Sequence, residues 1–276
     1  MHHKYYIYGK HASIAALRNA NRKIYNIICT QNVYLEYQNL IGNFSYNILD
    51  SNTITKTLLS YDNKNSKNQS KDSINHQNIA VLVRSKTFTS VQELNLEDPN
   101  YKIAILDQIT DTHNIGSIIR SAAFFNINAI IMQDANSPQE NSIIAKNASG
   151  GLELIDICKV VNISQTIIKL KKEGFWIIGL DVDGQSNINS NLLTGKVAII
   201  LGSEGKGMRN LTKKNCDFLL SINNNSNFEN KSINSIHPQV FNSTHNDPIL
   251  DSLNVSNAAS IAFYIISQNN QSTIPK

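Results

Sequence analysis

The sequence predicts an α/β protein: a C-terminal, mostly parallel sheet with helices on both faces, preceded by a small α/β domain. Three observations carry this. From Lys102 onward, short β-branched apolar runs alternate with segments of helical periodicity. The first hundred residues repeat that alternation on a smaller scale. Between the two, Asn95–Asn100 (NLEDPN) interrupts the apolar pattern with acidic residues and Pro99. The boundary is placed there, giving domains over 1–97 and 98–276.

In the first domain, Ala12–Arg18 has helical spacing, and Ile24–Cys29 and Ile79–Arg84 are β-branched runs. Tyr61–Asn78 is dominated by Asn, Ser, Lys, Asp and Gln, too polar to bury, and is expected to be a mobile loop.

In the second domain the expected order is strand Ile103–Leu106, helix Asn114–Phe125, strand Ala129–Met132 and helix Pro138 to Ala148. Strand Ile155–Val161, helix Ser164–Lys172 and strands Phe175–Leu180 and Val197–Leu201 follow, with a closing amphipathic helix over Asn254–Ser267. Parallel sheets bind ligands beyond the carboxyl ends of their strands, which directs attention to the loops after Leu106 and Leu201. Asn223–Asp251 has no periodic pattern and is rich in Asn and Ser. It is either a functional lid or a disordered polar insertion, and the insertion is the expectation.

The chain has 276 residues and 41% hydrophobic residues, and no apolar run approaches the roughly 20 residues that span a bilayer. The start, MHHKYYIYGK, does not read as a secretory signal. Cys29, Cys158 and Cys216 are far apart and without C-x-x-C spacing, which argues against a disulfide scaffold or a Cys-rich zinc site and for a reducing cytoplasm. A net charge of +4 permits contact with nucleic acid without announcing it. There are 39 Asn and 39 Ile, and Lys outnumbers Arg 20 to 5, so Asn-rich stretches and N-x-S/T matches carry little meaning.

Three segments could carry chemistry. Asp107 to Arg120 leads from a strand end into a helix whose apolar stripe is Ile115, Ile118, Ile119, Ala122 and Phe125. Arg120 lies about 140° from Ile115 around that helix, so Asn114 and Arg120 both face away from the core. Helix capping and a solvated charge would explain them, but in a chain that prefers Lys four to one, an Arg suggests a need for its planar fork. Leu201 to Met208 packs three of twelve glycines, Gly202, Gly205 and Gly207, into six residues after a buried strand. It fits neither a phosphate loop, whose first Gly would fall on Ile200, nor a dinucleotide fingerprint, whose third would fall on Asn210. Such a loop still lets a ligand approach the backbone. Ser252 to Ala259 opens the last helix with Ser252 and Asn254.

Together these segments resemble the three ordered motifs of the SpoU branch of the SPOUT class of RNA methyltransferases, with Cys216-Asp217 following the second. Lys146 to Gly151 and Gly174 to Gly179 also look familial. The resemblance covers about Lys102 to Gln268, and Tyr8-Gly9-Lys10-His11 is similar to the start of the substrate-binding domain of the ribosomal RNA subgroup. It implies a deep trefoil knot, S-adenosyl-L-methionine as cofactor and a homodimer that completes the active site. By position it assigns Gly202, Ile222 and Leu253 to the cofactor and Asn114, Arg120, Glu204, Ser252 and Asn254 to catalysis. No metal is implied. The chain departs from the pattern where Asn223 and the long polar segment replace the usual Ile-Pro and short connection, and where Thr112-His113 precedes Asn114 in place of a frequent Pro.

The function so implied is ribose 2′-O-methylation of guanosine in large-subunit ribosomal RNA. Arg120 is then either a base for the 2′-hydroxyl or a bidentate phosphate clamp. A lone loop His such as His113 is more often incidental, and His237 and His245 lack partners at metal spacing. A non-catalytic RNA-binding or ribosome-assembly protein that keeps the knotted fold is the alternative, and a transfer RNA 2′-O-methyltransferase another.

Overall fold

The computed structural model describes residues 3–65, 74–188, 193–222 and 253–268. The N-terminal part runs β1 (Lys4–Tyr8), α1 (Lys10–Arg18), β2 (Ile24–Cys29), α2 (Gln31–Glu36), α3 (Gln38–Ile41), β3 (Tyr46–Ile48), α4 (Ser51–Asn65) and β4 (Ile79–Arg84). Its four strands form one sheet in the order β1-β4-β2-β3, antiparallel except for the β2–β3 pair. Strand alternation sends Tyr5 and Ile7 to the face covered by α1, and Tyr6 and Tyr8 to the face covered by Ile54 and Leu58 of α4.

The polar stretch beginning at Tyr61 is not a loop throughout, because α4 continues through Asn65. The helix is carried past the start of that stretch by an apolar stripe, Ile54, Leu58 and Tyr61, at i, i+4 and i+7. Tyr61 packs edge-on against Tyr6, with ring centroids 5.0 Å apart, and donates to the Lys4 carbonyl at 3.0 Å. Residues 66–73 lie outside the described residues.

The second part runs β5 (Lys102–Asp107), α5 (Thr112–Phe124), β6 (Ala129–Gln133), α6 (Ser142–Ala148), β7 (Asp156–Val160), α7 (Ile163–Lys172), β8 (Trp176–Leu180), β9 (Ser186–Asn187), β10 (Val197–Gly202), α8 (Asn210–Lys214), β11 (Phe218–Ser221) and α9 (Val255–Gln268). Seven parallel strands order as β7-β6-β5-β10-β8-β11-β9. Both faces are buried. Ile103 and Ile105 pack with Ile163, Ile167 and Leu170 of α7, whereas Ala104 and Leu106 pack with α5, α6 and α9. The helix expected from Pro138 begins only at Ser142. Asn141 stops it there by accepting the amides of Ile143 and Ile144, each at 3.0 Å.

The two sheets share one apolar core, in which Tyr5, Ile7 and Leu17 are continuous with Leu106, Ile119 and Ile144. A buried ion cluster pins the seam. Arg22, between α1 and β2, donates to Glu140 at 2.6 Å and forks onto Glu153, with all three side chains no more than 4% exposed. The Tyr5 hydroxyl donates to the same Glu140 oxygen at 2.5 Å. Burial and the adjoining Glu140 push the Tyr5 hydroxyl well above its ordinary value. Among the described residues, no helix is long and apolar enough to cross a membrane.

Candidate active site

The order of the second sheet reverses between β5 and β10, which lie side by side with Gly202 opposite Asp107. β5 leads outward to β6 and β7, and β10 borders the strands of the other half. In sheets of this kind such a reversal marks the crevice where ligands bind, here at the carboxyl ends of β5 and β10.

From β5, Asp111 caps α5 by accepting the Asn114 amide at 2.8 Å, which fixes Asn114 in the first turn. From β10, the chain folds into a tight loop in which the Ser203 amide donates to the Gly207 carbonyl at 3.1 Å and the Gly207 amide returns to the Ser203 carbonyl at 2.8 Å. Glu204 at its tip is the hub. Its Oε1 accepts from Asn114 Nδ2 at 3.1 Å and from Asn254 Nδ2 at 2.5 Å. Asn254 Nδ2 also donates to Asn114 Oδ1 at 3.1 Å, closing a triangle across three chain segments. Asn254 Oδ1 in turn accepts the Ser256 amide at 2.9 Å and so starts α9.

Three of the five expected catalytic residues, Asn114, Glu204 and Asn254, thus meet. Ser252 lies outside the described residues, as do Asn223–Asp251 and, within that segment, His237 and His245. Arg120 is exposed and among the described residues makes no hydrogen bond or ion pair. Six residues along α5 set it about 9 Å from Asn114.

Of the expected cofactor residues, Leu253 is held beside Glu204 through Asn254 and is 45% exposed. Ile222 follows β11, two strands from β10 at the same edge of the sheet. At Gly202 the need for glycine comes from the loop itself, since a Cβ there would stand 2.3 Å from the Gly207 carbonyl carbon. Gly205 and Gly207 have positive φ and open space around them, which leaves the loop backbone accessible.

Sequence reasoning missed the Asp107–Arg209 pair. Asp107 is fully buried at the end of β5 and accepts the Arg209 amide at 3.0 Å and its Nε at 2.7 Å. The pair ties β5 to the segment after the glycine loop and fixes the crevice walls. The scarcity of Arg that singled out Arg120 applies equally to Arg209. His113 proves to be helical rather than in a loop, and its Nδ1 lies 3.2 Å from Asn147 Nδ2. Burial pushes the Cys216 thiol up to about 12, away from the thiolate form that reacts. Asp217 beside it is structural, accepting the Ile177 amide at 2.9 Å and Lys171 Nζ at 2.6 Å. Among the described residues no group of three or more His, Cys, Asp or Glu could hold a metal.

Residues 101–237 match the profile of the SpoU rRNA Methylase family. The chain is 42% identical over 120 residues to the 23S rRNA (guanosine-2′-O-)-methyltransferase RlmB of Coxiella burnetii, a stretch covering 44% of this chain and 48% of the relative. It is 34% identical over 147 residues to RlmB of Escherichia coli K12, covering 51% and 60%. The chain therefore spans about half the length of the curated relatives it matches. The fold is that of the SpoU methyltransferase AviRb from Streptomyces viridochromogenes, solved with AdoMet, with a TM-score of 0.70 at 14% identity over 98% of this chain and 91% of that one.

Proposed function

This chain carries a SpoU rRNA methylase domain, and from that premise we propose that it is an S-adenosyl-L-methionine-dependent RNA ribose 2′-O-methyltransferase of the cytoplasm. Its substrate is guanosine in large-subunit ribosomal RNA, the chemistry named for the RlmB relatives. The observation that carries the reading is the Asn114–Glu204–Asn254 triangle, which gathers the three family motifs at the strand-end crevice. Residues 1–97 serve as the RNA-binding unit and 98–276 as the transferase.

The residues present suit the cofactor. Half-exposed Leu253 and partly buried Ile222 offer apolar surface for a flat base, and the open backbone at Gly205 and Gly207 offers amides. When bound, the cofactor supplies an electrophilic methyl group. We read the chain path here as a trefoil knot, supported by β10 lying between the earlier strands β5 and β8 while α9 returns beside the loop that follows β10.

Glu204 holds Asn114 and Asn254 in register, and Asn114 is left to orient a ribose hydroxyl. An Arg guanidinium is in effect a permanent cation, so Arg120 acts as a bidentate clamp on the neighbouring phosphate. It lies about two turns along the helix from Asn114 and, among the described residues, makes no bond to the triangle. Beside it, Phe124 (78% exposed), Tyr264 (52%) and Ile261 (36%) leave an apolar face on α5 and α9. These helices are joined by the Ser121–Ser260 hydroxyl pair at 2.7 Å. A second copy covers this face, and Arg120 of each protomer then completes the other's crevice.

The test is incubation with methyl-labelled S-adenosyl-L-methionine and unmethylated large-subunit ribosomal RNA, with the modified position mapped. A 2′-O-methylguanosine is expected. Cofactor binding without transfer to any ribosomal RNA would favour the non-catalytic alternative.

A further inference from the structure

A strip of polar side chains joins the candidate site to the N-terminal sheet, and the chemistry above makes no use of it. It starts at exposed His113, next to Asn114, and steps to Asn147 across the 3.2 Å contact. Lys146 adjoins Asn147 on α6 and lies over Tyr8 of β1, with Nζ 5.5 Å from the ring centroid. A Cβ at Gly9 would stand 4.0 Å from Lys146 Cγ and 3.5 Å from Gln77 Oε1. Gln77, exposed on the far side of the seam, accepts the amide of Lys10 at 2.8 Å.

Of the nearby carboxylates, partly buried Asp62 of α4 acts on the Tyr8 hydroxyl, and the others are engaged elsewhere. Glu36 pairs with Lys10 at 2.7 Å, Asp111 caps α5, and Glu140 and Glu153 are buried around Arg22. Among the described residues the Lys146 ammonium has no carboxylate partner, whereas Lys10, Lys171 and Lys213 each have one. The strip therefore presents a single uncompensated cation among neutral hydrogen-bonding groups. Gly116 makes this alignment possible, since a Cβ there would come within 2.6 Å of Asn147 Cβ and drive α6 away from α5. The Arg22 cluster holds the two banks of the strip at a fixed distance.

We infer that Lys146, flanked by His113, Asn147 and Gln77, is a phosphate contact that guides single-stranded RNA across the seam from the N-terminal sheet to the Glu204 crevice. This rests on the RNA methyltransferase reading and adds a binding residue to it.

Fluorescence anisotropy with a labelled oligouridylate of about twelve nucleotides, in about 50 to 200 mM KCl, tests it. Lys146→Gln should weaken binding by about three- to tenfold at low salt and reduce the slope of log K against log salt by about 0.7, the loss of one single-strand phosphate contact. Lys146→Arg should keep the slope, and Lys172→Gln, on exposed α7 surface, should behave as wild type. Cofactor affinity and Tm should be unchanged in all three. An unchanged slope for Lys146→Gln in a protein that methylates RNA overturns the inference and leaves the function intact. So does a fall in Tm with the slope retained, which would make Lys146 a helix-end charge. If wild type binds neither the oligonucleotide nor ribosomal RNA, the functional reading itself falls.

Discussion

One oxygen, Glu204 Oε1, takes hydrogen bonds from Asn114, from Asn254 and, at 3.4 Å, from the Val255 amide at the start of α9. Glu204→Ala removes the acceptor shared by three chain segments and frees Leu253 from the glycine loop. S-adenosyl-L-methionine should bind at least about tenfold more weakly, about 1.4 kcal/mol, in calorimetric titration, while Tm moves by only a few degrees because the hub is at the surface. Unchanged affinity would show that Glu204 does not position Leu253 for the cofactor.

Lys102 makes a second prediction at this scale. Its side chain is buried at the start of β5, with Nζ donating to the carbonyls of Leu193 at 2.9 Å and Gly195 at 2.5 Å. Burial pulls the ammonium down to about 8 from 10.5. The unfolded chain therefore keeps a proton that the folded protein has released between those values, and this group's contribution to stability rises with pH across that window. Buried Tyr101, Cys158 and Cys216, pushed up to about 12, act in the opposite sense from about pH 9 upward. The urea midpoint of wild type relative to Lys102→Met should thus rise from about pH 7.5 to 9. A flat difference would mean that Lys102 titrates normally.

Among the elements, the contact between the two sheets decides most. Arg22→Met would leave Glu140 and Glu153 buried without their cation, at a cost of about 3–5 kcal/mol in urea unfolding; a loss below about 1 kcal/mol would show that the apolar core alone holds the seam. The long periodic elements, β2, β4, β5, α5, β10 and α9, were legible in the sequence because their apolar spacing spans whole turns or strands. The shortest were not, and neither was the fifteen-residue α4, whose polar surface masks its apolar stripe. β9 has two residues and α8 five, too few to show a period. The seam was invisible for another reason: its bonds join residues 118 and 131 positions apart, and no local pattern encodes such pairings. Composition held one unused clue, since of five Arg two, Arg22 and Arg209, are committed to carboxylates.

At the scale of the whole molecule, alternation of strands and helices indicated a parallel sheet, and sheet order then located the crevice at the β5–β10 reversal. The meeting of Asn114, Glu204 and Asn254 was legible only through resemblance, because spacing alone would have left them as a cap, a loop charge and another cap. Arg120 stands apart from that cluster, and in the proposed dimer two chains build each crevice. Mixing two inactive variants, Arg120→Ala and Glu204→Ala, tests this most directly. After reassociation, half the dimers are mixed, and each mixed dimer pairs one doubly defective crevice with one intact crevice. Methyl transfer to ribosomal RNA should return to about a quarter of the wild-type rate. A mixture as inactive as either variant alone, with mixed dimers verified, would rule out the shared crevice and place Arg120 and Glu204 in the same crevice of a single chain.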